Sequence, residues 1–109
     1  MSLPSRSRTT EGFHRISDIL KCKWTMAIID AIARGINRPS QVQRALPGLT
    51  AKVLNERVSK LERYNILERE VFAEVPPRVE YRLTQNGKRL IALLDEVRQF
   101  IYETWPNES

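Results

Sequence analysis

Cysteine and histidine are almost missing from this chain, whose 109 residues hold one of each, Cys22 and His14. A single cysteine rules out an internal disulfide framework, and with one histidine the soft ligands are too few for an ordinary structural zinc site. Neither a metal nor a cofactor is therefore expected. Long apolar runs are missing too, since none approaches the roughly 18 residues of a membrane span. The opening MSLPSRSRTTEG lacks the apolar centre of a secretion signal, so a cytoplasmic protein is expected. There is no glycine-rich phosphate loop, no nucleophile motif and no paired acid and base in a recognisable setting, which argues against an enzyme. Repeats and long Gly/Ser linkers are also lacking. The length then leaves one domain, with a core that buries roughly two-thirds of the unfolded surface.

What is present in quantity is positive charge, and it is uneven. Residues 1–63 carry 12 Lys/Arg against 5 Asp/Glu, whereas residues 64–109 carry 6 against 8, so a half at +7 is joined to one at −2 to give the net +5. The N-terminal part is where a polyanion would bind. Charge alone fits nucleic acid, an acidic membrane surface and an acidic partner protein equally well.

The apolar spacing resolves into elements. Phe13, Ile16 and Leu20 fall at helical spacing, and a second pattern with Trp24, Ile28 and Ile32 runs up to Gly35, a helix stop. NRPSQVQRALPG reads as a brief helix between Pro39 and Pro47-Gly48, with Val42 and Leu46 inward. Thr50 then caps a helix whose Leu54, Val58 and Leu61 share one side, leaving Lys52, Glu56, Ser59 and Arg63 opposite and Asn55 on the flank. Ile66 to Phe72 and Val79 to Leu83 alternate as strands, the second with Val79, Tyr81 and Leu83 on one face and Arg78, Glu80 and Arg82 on the other. Pro76 and Pro77 lie between them. Proline has no ladder donor and is excluded from central strands, so the pair marks the exposed tip of a hairpin, with Arg78 beside it. Thr84 caps a long last helix on which Leu90, Leu94, Val97 and Ile101 form a stripe, widened by Leu93, Phe100, Tyr102 and Trp105.

This order predicts a mainly α protein with a small β-hairpin, a winged helix-turn-helix in which the fourth helix enters the major groove and the hairpin flanks it. The apolar stripe of the last helix exceeds what one small domain needs. A twofold partner is expected to cover it, with Phe13, Ile16 and Leu20 of the first helix joining Leu90, Leu94, Val97, Ile101 and Trp105.

At this point three segments carry a resemblance. KWTMAIIDAIARG, ALPGLTAKVLNERVSKLE and above all EVPPRVEYRLTQNGKRL resemble, in order and spacing, the signature segments of the HxlR-type family of bacterial transcriptional regulators. The likeness covers about residues 13 to 105 and implies a homodimer that binds operator DNA as a repressor or activator. It divides the chain into a flexible N-terminal arm at 1–12, a DNA-binding domain with dimerisation helices at 13–105, and a tail at 106–109. Winged helices are also reused as protein- or RNA-interaction modules, and that alternative stays open at this level. A small-molecule effector fits the same scheme, because an interface between apolar helices can open a pocket.

Within that scheme Lys52 and Asn55 are placed to read base edges, since lysine can donate to guanine and asparagine can pair bidentately with adenine. Arg57 matches an arginine of the family motif, but the helical wheel sets it beside the core, where a phosphate contact or an internal ion pair fits better than base reading. Ser40, Gln41 and Thr50 stand at helix starts, suited to phosphate oxygens; Ser40 and Thr50 equally suit capping. Arg78 is assigned to the minor groove or a phosphate, against a plain pairing with Glu74 or Glu80. Cys22 lies between Lys21 and Lys23 near a helix start, where a thiol pKa is lowered. The resemblance implies that redox-sensing members carry their cysteine about twelve residues before the Lys-Trp pair, where this chain has Glu11, so Cys22 is expected to be a packing residue. His14 has no cysteine, carboxylate or second histidine placed to form a triad, and an exposed or capping role is expected.

Overall fold

A computed structural model describes residues 6–107. The element order is α1 (Arg6–Lys21), α2 (Lys23–Ala33), α3 (Pro39–Ala45), α4 (Ala51–Arg63), β1 (Leu67–Phe72), β2 (Arg78–Leu83) and α5 (Gln85–Thr104). Residues 1–5 of the expected arm and 108–109 of the tail lie outside the described residues. The rest of the arm is not an arm, because α1 starts at Arg6, seven residues ahead of Phe13. The apolar spacing marks only where a helix acquires a face to bury. The polar turns before Phe13 hold no proline between Arg6 and Gly12 and extend the same helix into solvent.

Each element ends for a local reason. Gly35, at φ 92°, closes α2 by donating its N–H to Ile32 O at 3.0 Å while Ile36 N–H reaches back to Ala31 O at 3.0 Å. Pro39 opens α3, where its missing N–H would have had no helical partner. Thr50 caps α4 by accepting Val53 N–H at 3.1 Å, and Thr84 caps α5 by accepting Gly87 N–H at 2.9 Å.

The core lies where α2, α3 and α4 meet the hairpin and the first half of α5. Leu54, Val58 and Leu61 of α4 are all at most 1% exposed. Burial of such side chains contributes roughly 1.5 to 3 kcal/mol each, which is what fixes the rotation of α4 and turns its other side outward. Val42 from α3, Ile28, Ile29 and Ile32 from α2, and Tyr81 from β2 complete the same cluster.

β1 and β2 form a two-stranded antiparallel sheet with Leu67 opposite Leu83 and Phe72 opposite Arg78. Residues 73–77 make the turn, so Pro76 and Pro77 stand outside the ladder. The hairpin is tied to the body through Tyr81, which is buried and whose N–H donates to Asn37 O at 2.7 Å. Two polar struts link the outer helices to the centre. Tyr64, just after α4, donates its hydroxyl to Asp18 of α1 at 2.7 Å, and Arg98 of α5 meets Asp30 of α2 at 3.0 Å. The Tyr64 hydrogen bond, with Lys60 nearby, holds the Asp18 carboxyl below the usual carboxylate range, and Asp18 in turn holds the Tyr64 phenol above its ordinary value.

The stripe of α5 divides between two roles. Leu90 and Leu94 are 6% and 4% exposed, part of the chain's own core, and are withdrawn from the expected dimer surface. The first half of α5 packs on α2 and β2, so its apolar side is already covered. Beyond Asp95, Arg98 still reaches Asp30 of α2, but Val97, Phe100, Ile101, Tyr102 and Trp105 are exposed, as is Leu93 on the same helix. On α1, Phe13, Ile16 and Leu20 are exposed, while Ile19 is the residue that anchors the helix to the core. No helix among the described residues is long and apolar enough to cross a membrane.

Candidate nucleic-acid interface

The outward side of α4 follows from its inward one. With Leu54, Val58 and Leu61 fixed in the core, the turn geometry leaves Lys52, Asn55, Glu56 and Arg63 exposed in solvent. Thr50 stands at the head of this face and spends its side-chain oxygen on the cap to Val53. α3 packs across α4 with Ser40 and Gln41 exposed, and the turn between the two helices is braced by Gln43, whose Nε2 lies 3.5 Å from Leu49 O. The fold thus brings Ser40, Gln41, Thr50, Lys52 and Asn55 onto exposed positions of two successive helices.

Arg57 is half-buried, and its Nε has no hydrogen-bond partner. No carboxylate pairs with it among the described residues, so the internal ion pair entertained for it is not formed. Its charge is felt instead by Cys22, the residue between α1 and α2. Burial pushes the Cys22 thiol up, but the hydroxyl and N–H of Thr25, the Arg57 guanidinium and the Trp24 N–H outweigh it, and the thiol sits below the ordinary cysteine range. None of these groups reaches cap geometry: Cys22 makes no side-chain cap bond, and the buried Thr25 hydroxyl has no hydrogen-bonding partner. The lowering comes first from Thr25 and then from Arg57, both local to the start of α2. Cys22→Ser is expected to retain DNA binding under reducing conditions and to leave any response to oxidants unaltered, as read by a gel-shift titration with and without oxidant. An oxidant-sensitive parent beside an insensitive variant would overturn this.

Arg78 is not a free cation at the hairpin. Its Nη1 lies 3.4 Å from Glu74, its Nε lies 3.3 Å from Glu80 without hydrogen-bond alignment, and its guanidinium stacks 4.1 Å above the Phe72 ring. The plain pairing weighed for Arg78 is therefore what the unbound protein adopts, with both glutamates at once. Arg38, which the sequence reading passes over, joins them: its Nη2 is 3.6 Å from the same Glu80 oxygen. Its position immediately before Pro39, at the extended residue that opens α3, was the available signal. Farther along the hairpin Arg82 meets Glu68 at 3.2 Å and Glu70 at 3.4 Å, so that part of the outer face sets one cation against two carboxylates.

His14 is exposed on α1, and no group of histidine, cysteine and carboxylate side chains among the described residues is arranged to hold a metal ion. What the surface offers is a polar helix face, flanked by a hairpin and set in a basic half of the chain. That is the arrangement of helix-turn-helix proteins that place one helix in a groove of duplex DNA.

Known proteins carry the same arrangement. Residues 19–109 match the family described as HxlR-like helix-turn-helix. YvaP of Bacillus subtilis (strain 168), described as an uncharacterized HTH-type transcriptional regulator, is 35% identical over 105 residues, spanning 96% of this chain and 96% of that protein. The solved structure of a transcriptional regulator assigned to the MarR family from Enterococcus faecalis V583 superposes with a TM-score of 0.80 at 32% identity, covering 96% of this chain and 93% of the other. The reduced form of the transcriptional regulator YodB from B. subtilis gives 0.78 at 28% identity with both chains fully covered. With a match over most of its length and a winged helix-turn-helix fold, the chain belongs to the HxlR-like family of helix-turn-helix transcriptional regulators and is not an enzyme.

Proposed function

We propose that the protein is a cytoplasmic, sequence-specific regulator that binds operator DNA as a homodimer, with α4 in the major groove and the hairpin against the neighbouring backbone. The observation that carries this is the exposed polar face of α4, where Lys52 and Asn55 stand free of ion pairs and hydrogen bonds among the described residues, within the first two turns after the capping Thr50. Lysine and asparagine at such positions are the side chains that meet guanine and adenine edges, whereas Ser40, Gln41 and Thr50 suit phosphate oxygens. Arg57, buried at Nε, suits a phosphate at most through its outer nitrogens.

The dimer reading rests on the apolar residues left exposed on α1 and α5. Beneath Phe13 and Ile16, walled by Tyr64 and Ile66, lies a hollow of about 420 Å³. In a twofold pairing it would seat an apolar side chain of the second copy. Two α4 helices would then meet successive major grooves about 34 Å apart, and the preferred site would be an inverted repeat. Selection of bound sequences from a random DNA pool tests both halves of the proposal, specificity and symmetry. Lys52→Ala and Asn55→Ala are each expected to weaken operator binding by about 1 to 3 kcal/mol and to relax preference at particular positions of the selected sequence. If both variants keep the parent's affinity and its sequence preference, α4 does not read the bases.

A further inference from the structure

Between the start of α3 and the hairpin turn lies a cleft of about 450 Å³, whose walls include Arg38, Ser40, Pro76, Pro77 and Arg78, with Glu74 also on the wall and 3.4 Å from Arg78 Nη1. Its charge is arranged unusually. One oxygen of Glu80, Oε2, faces two guanidinium groups at once, Arg38 at 3.6 Å and Arg78 at 3.3 Å. All three side chains are accessible, at 43% for Arg38, 31% for Arg78 and 26% for Glu80. Glu80 lies 42 positions after Arg38 in the chain, so only the packing of β2 on α3 brings them together. Arg38 has no other partner among the described residues, which leaves most of its N–H donors for a ligand. The Arg78 guanidinium carbon lies 4.1 Å from the centre of the Phe72 ring, a cation–π contact that restrains one arm of the pair.

Two guanidiniums converging on one carboxylate oxygen form a receptor for an anionic oxygen, and here an internal carboxylate already occupies it. We propose that Arg38 and Arg78 are the two arms of a single DNA-phosphate clamp, and that Glu80 is its positioning residue, a carboxylate that a phosphate oxygen displaces on the cognate site. The proposal rests on the DNA-facing placement of α4 and the hairpin given above and adds Arg38 and Glu80 to it. The consequence is a selectivity device. Opening the clamp means giving up the Glu80 contacts, and this is offset only where the backbone brings a phosphate to the cleft while α4 is seated on its bases. On random DNA α4 is not seated, Glu80 stays in place, and its charge repels the duplex. Discrimination obtained by an unfavourable element against the wrong partner is a general route to specificity.

The test measures binding of the intact protein to its selected operator and to random duplex over a range of salt, by fluorescence anisotropy. Each phosphate neutralised contributes about 0.9 to the slope of log affinity against log salt. Arg38→Ala should lower the operator slope by about twice that amount, because the homodimer carries two clamps, so that the loss of affinity between about 50 and about 200 mM salt shrinks by roughly 10-fold. Arg38→Lys should restore the slope, because it returns the charge. Glu80→Gln should do the reverse on random duplex, tightening it several-fold and steepening its slope while the operator gains less, so the ratio of the two affinities falls. A merely structural Glu80 would weaken both duplexes together and leave the slopes alone. An unchanged operator slope in Arg38→Ala, or an unchanged affinity ratio in Glu80→Gln, overturns the clamp. Lys52→Ala measured alongside separates the two readings: if it relaxes sequence preference while Arg38→Ala changes nothing, only the clamp fails, and if no variant or parent discriminates operator from random duplex, the DNA-reading proposal fails.

Discussion

Gly87→Ala is expected to destabilise the fold by about 3 kcal/mol or more, a fall in Tm of at least about 12 °C for a domain of this size. A Cβ at Gly87 would lie 2.3 Å from the carbonyl oxygen of Ile66 and 3.1 Å from Leu83 Cδ2. The first is backbone, so no side-chain rotation relieves it. That carbonyl is also the joint of the structure: it accepts Thr84 N–H at 3.0 Å and lies 3.2 Å from the Thr84 hydroxyl, while the same hydroxyl accepts Gly87 N–H at 2.9 Å to cap α5. Shifting α5 to make room would break the cap and pull β1 away from the end of β2. Three kcal/mol is a large part of the roughly 5 to 15 kcal/mol that hold a domain folded. Thermal unfolding followed by circular dichroism decides it, and a Gly87→Ala variant melting within a few degrees of the parent would show that the helix start is softer than its hydrogen bonds imply. The glycine of the L-T-x-x-G run thus has a physical reason at this position: close approach of two backbones.

That run also shows how far a sequence carries. The rotation of α4 was readable from Leu54, Val58 and Leu61, because burial of one side of a helix dictates the other, and Lys52 and Asn55 are exposed as that rule requires. The hairpin turn was readable from Pro76 and Pro77, because a missing N–H is a local property. Three features were not legible, and each depends on what lies across space. Leu90 and Leu94 share a stripe with Val97 and Ile101, and periodicity cannot say that the first pair is buried in the chain's own core while the second pair is left about half exposed. The start of α1 was invisible because polar turns carry no periodic signal. The contact of Arg38 with Glu80 was hidden because nothing in either neighbourhood points to the other. Arg78 lies between these cases: its two glutamate partners are close in sequence and were foreseen as alternatives, but their simultaneous use, with Phe72 beneath, is a property of the folded hairpin.

The same division of α5 sets the second large effect. Val97→Glu combined with Ile101→Glu should leave a folded monomer that has lost at least about 100-fold in operator affinity, because two linked half-sites bind far better than one. Val97 and Ile101 are 46% and 47% exposed in the single chain, so charge placed there can reach solvent and costs the fold far less than it would at Leu90 or Leu94. They are neighbours on one face with Leu93, four residues before Val97, and Phe100 adds a ring that stacks edge-on against Trp105 at 5.8 Å. Full burial of side chains of this kind contributes roughly 1.5 to 3 kcal/mol each, and a twofold contact counts every residue twice. A carboxylate at both positions would put like charges across the axis in a desolvated setting, where neither the apolar gain nor the charge is compensated. Leu90→Ala serves as the contrast. It should remove about 2 to 5 kcal/mol of folding stability through the cavity it leaves in the core, with assembly affected only through unfolding. Sedimentation velocity at micromolar concentration, run beside thermal melts, distinguishes the two, since the glutamate pair should move the sedimentation coefficient and Leu90→Ala the melting temperature. A parent protein that sediments as a monomer and selects a non-palindromic site would sink the dimer, and with it the reason for α5 to extend beyond the core.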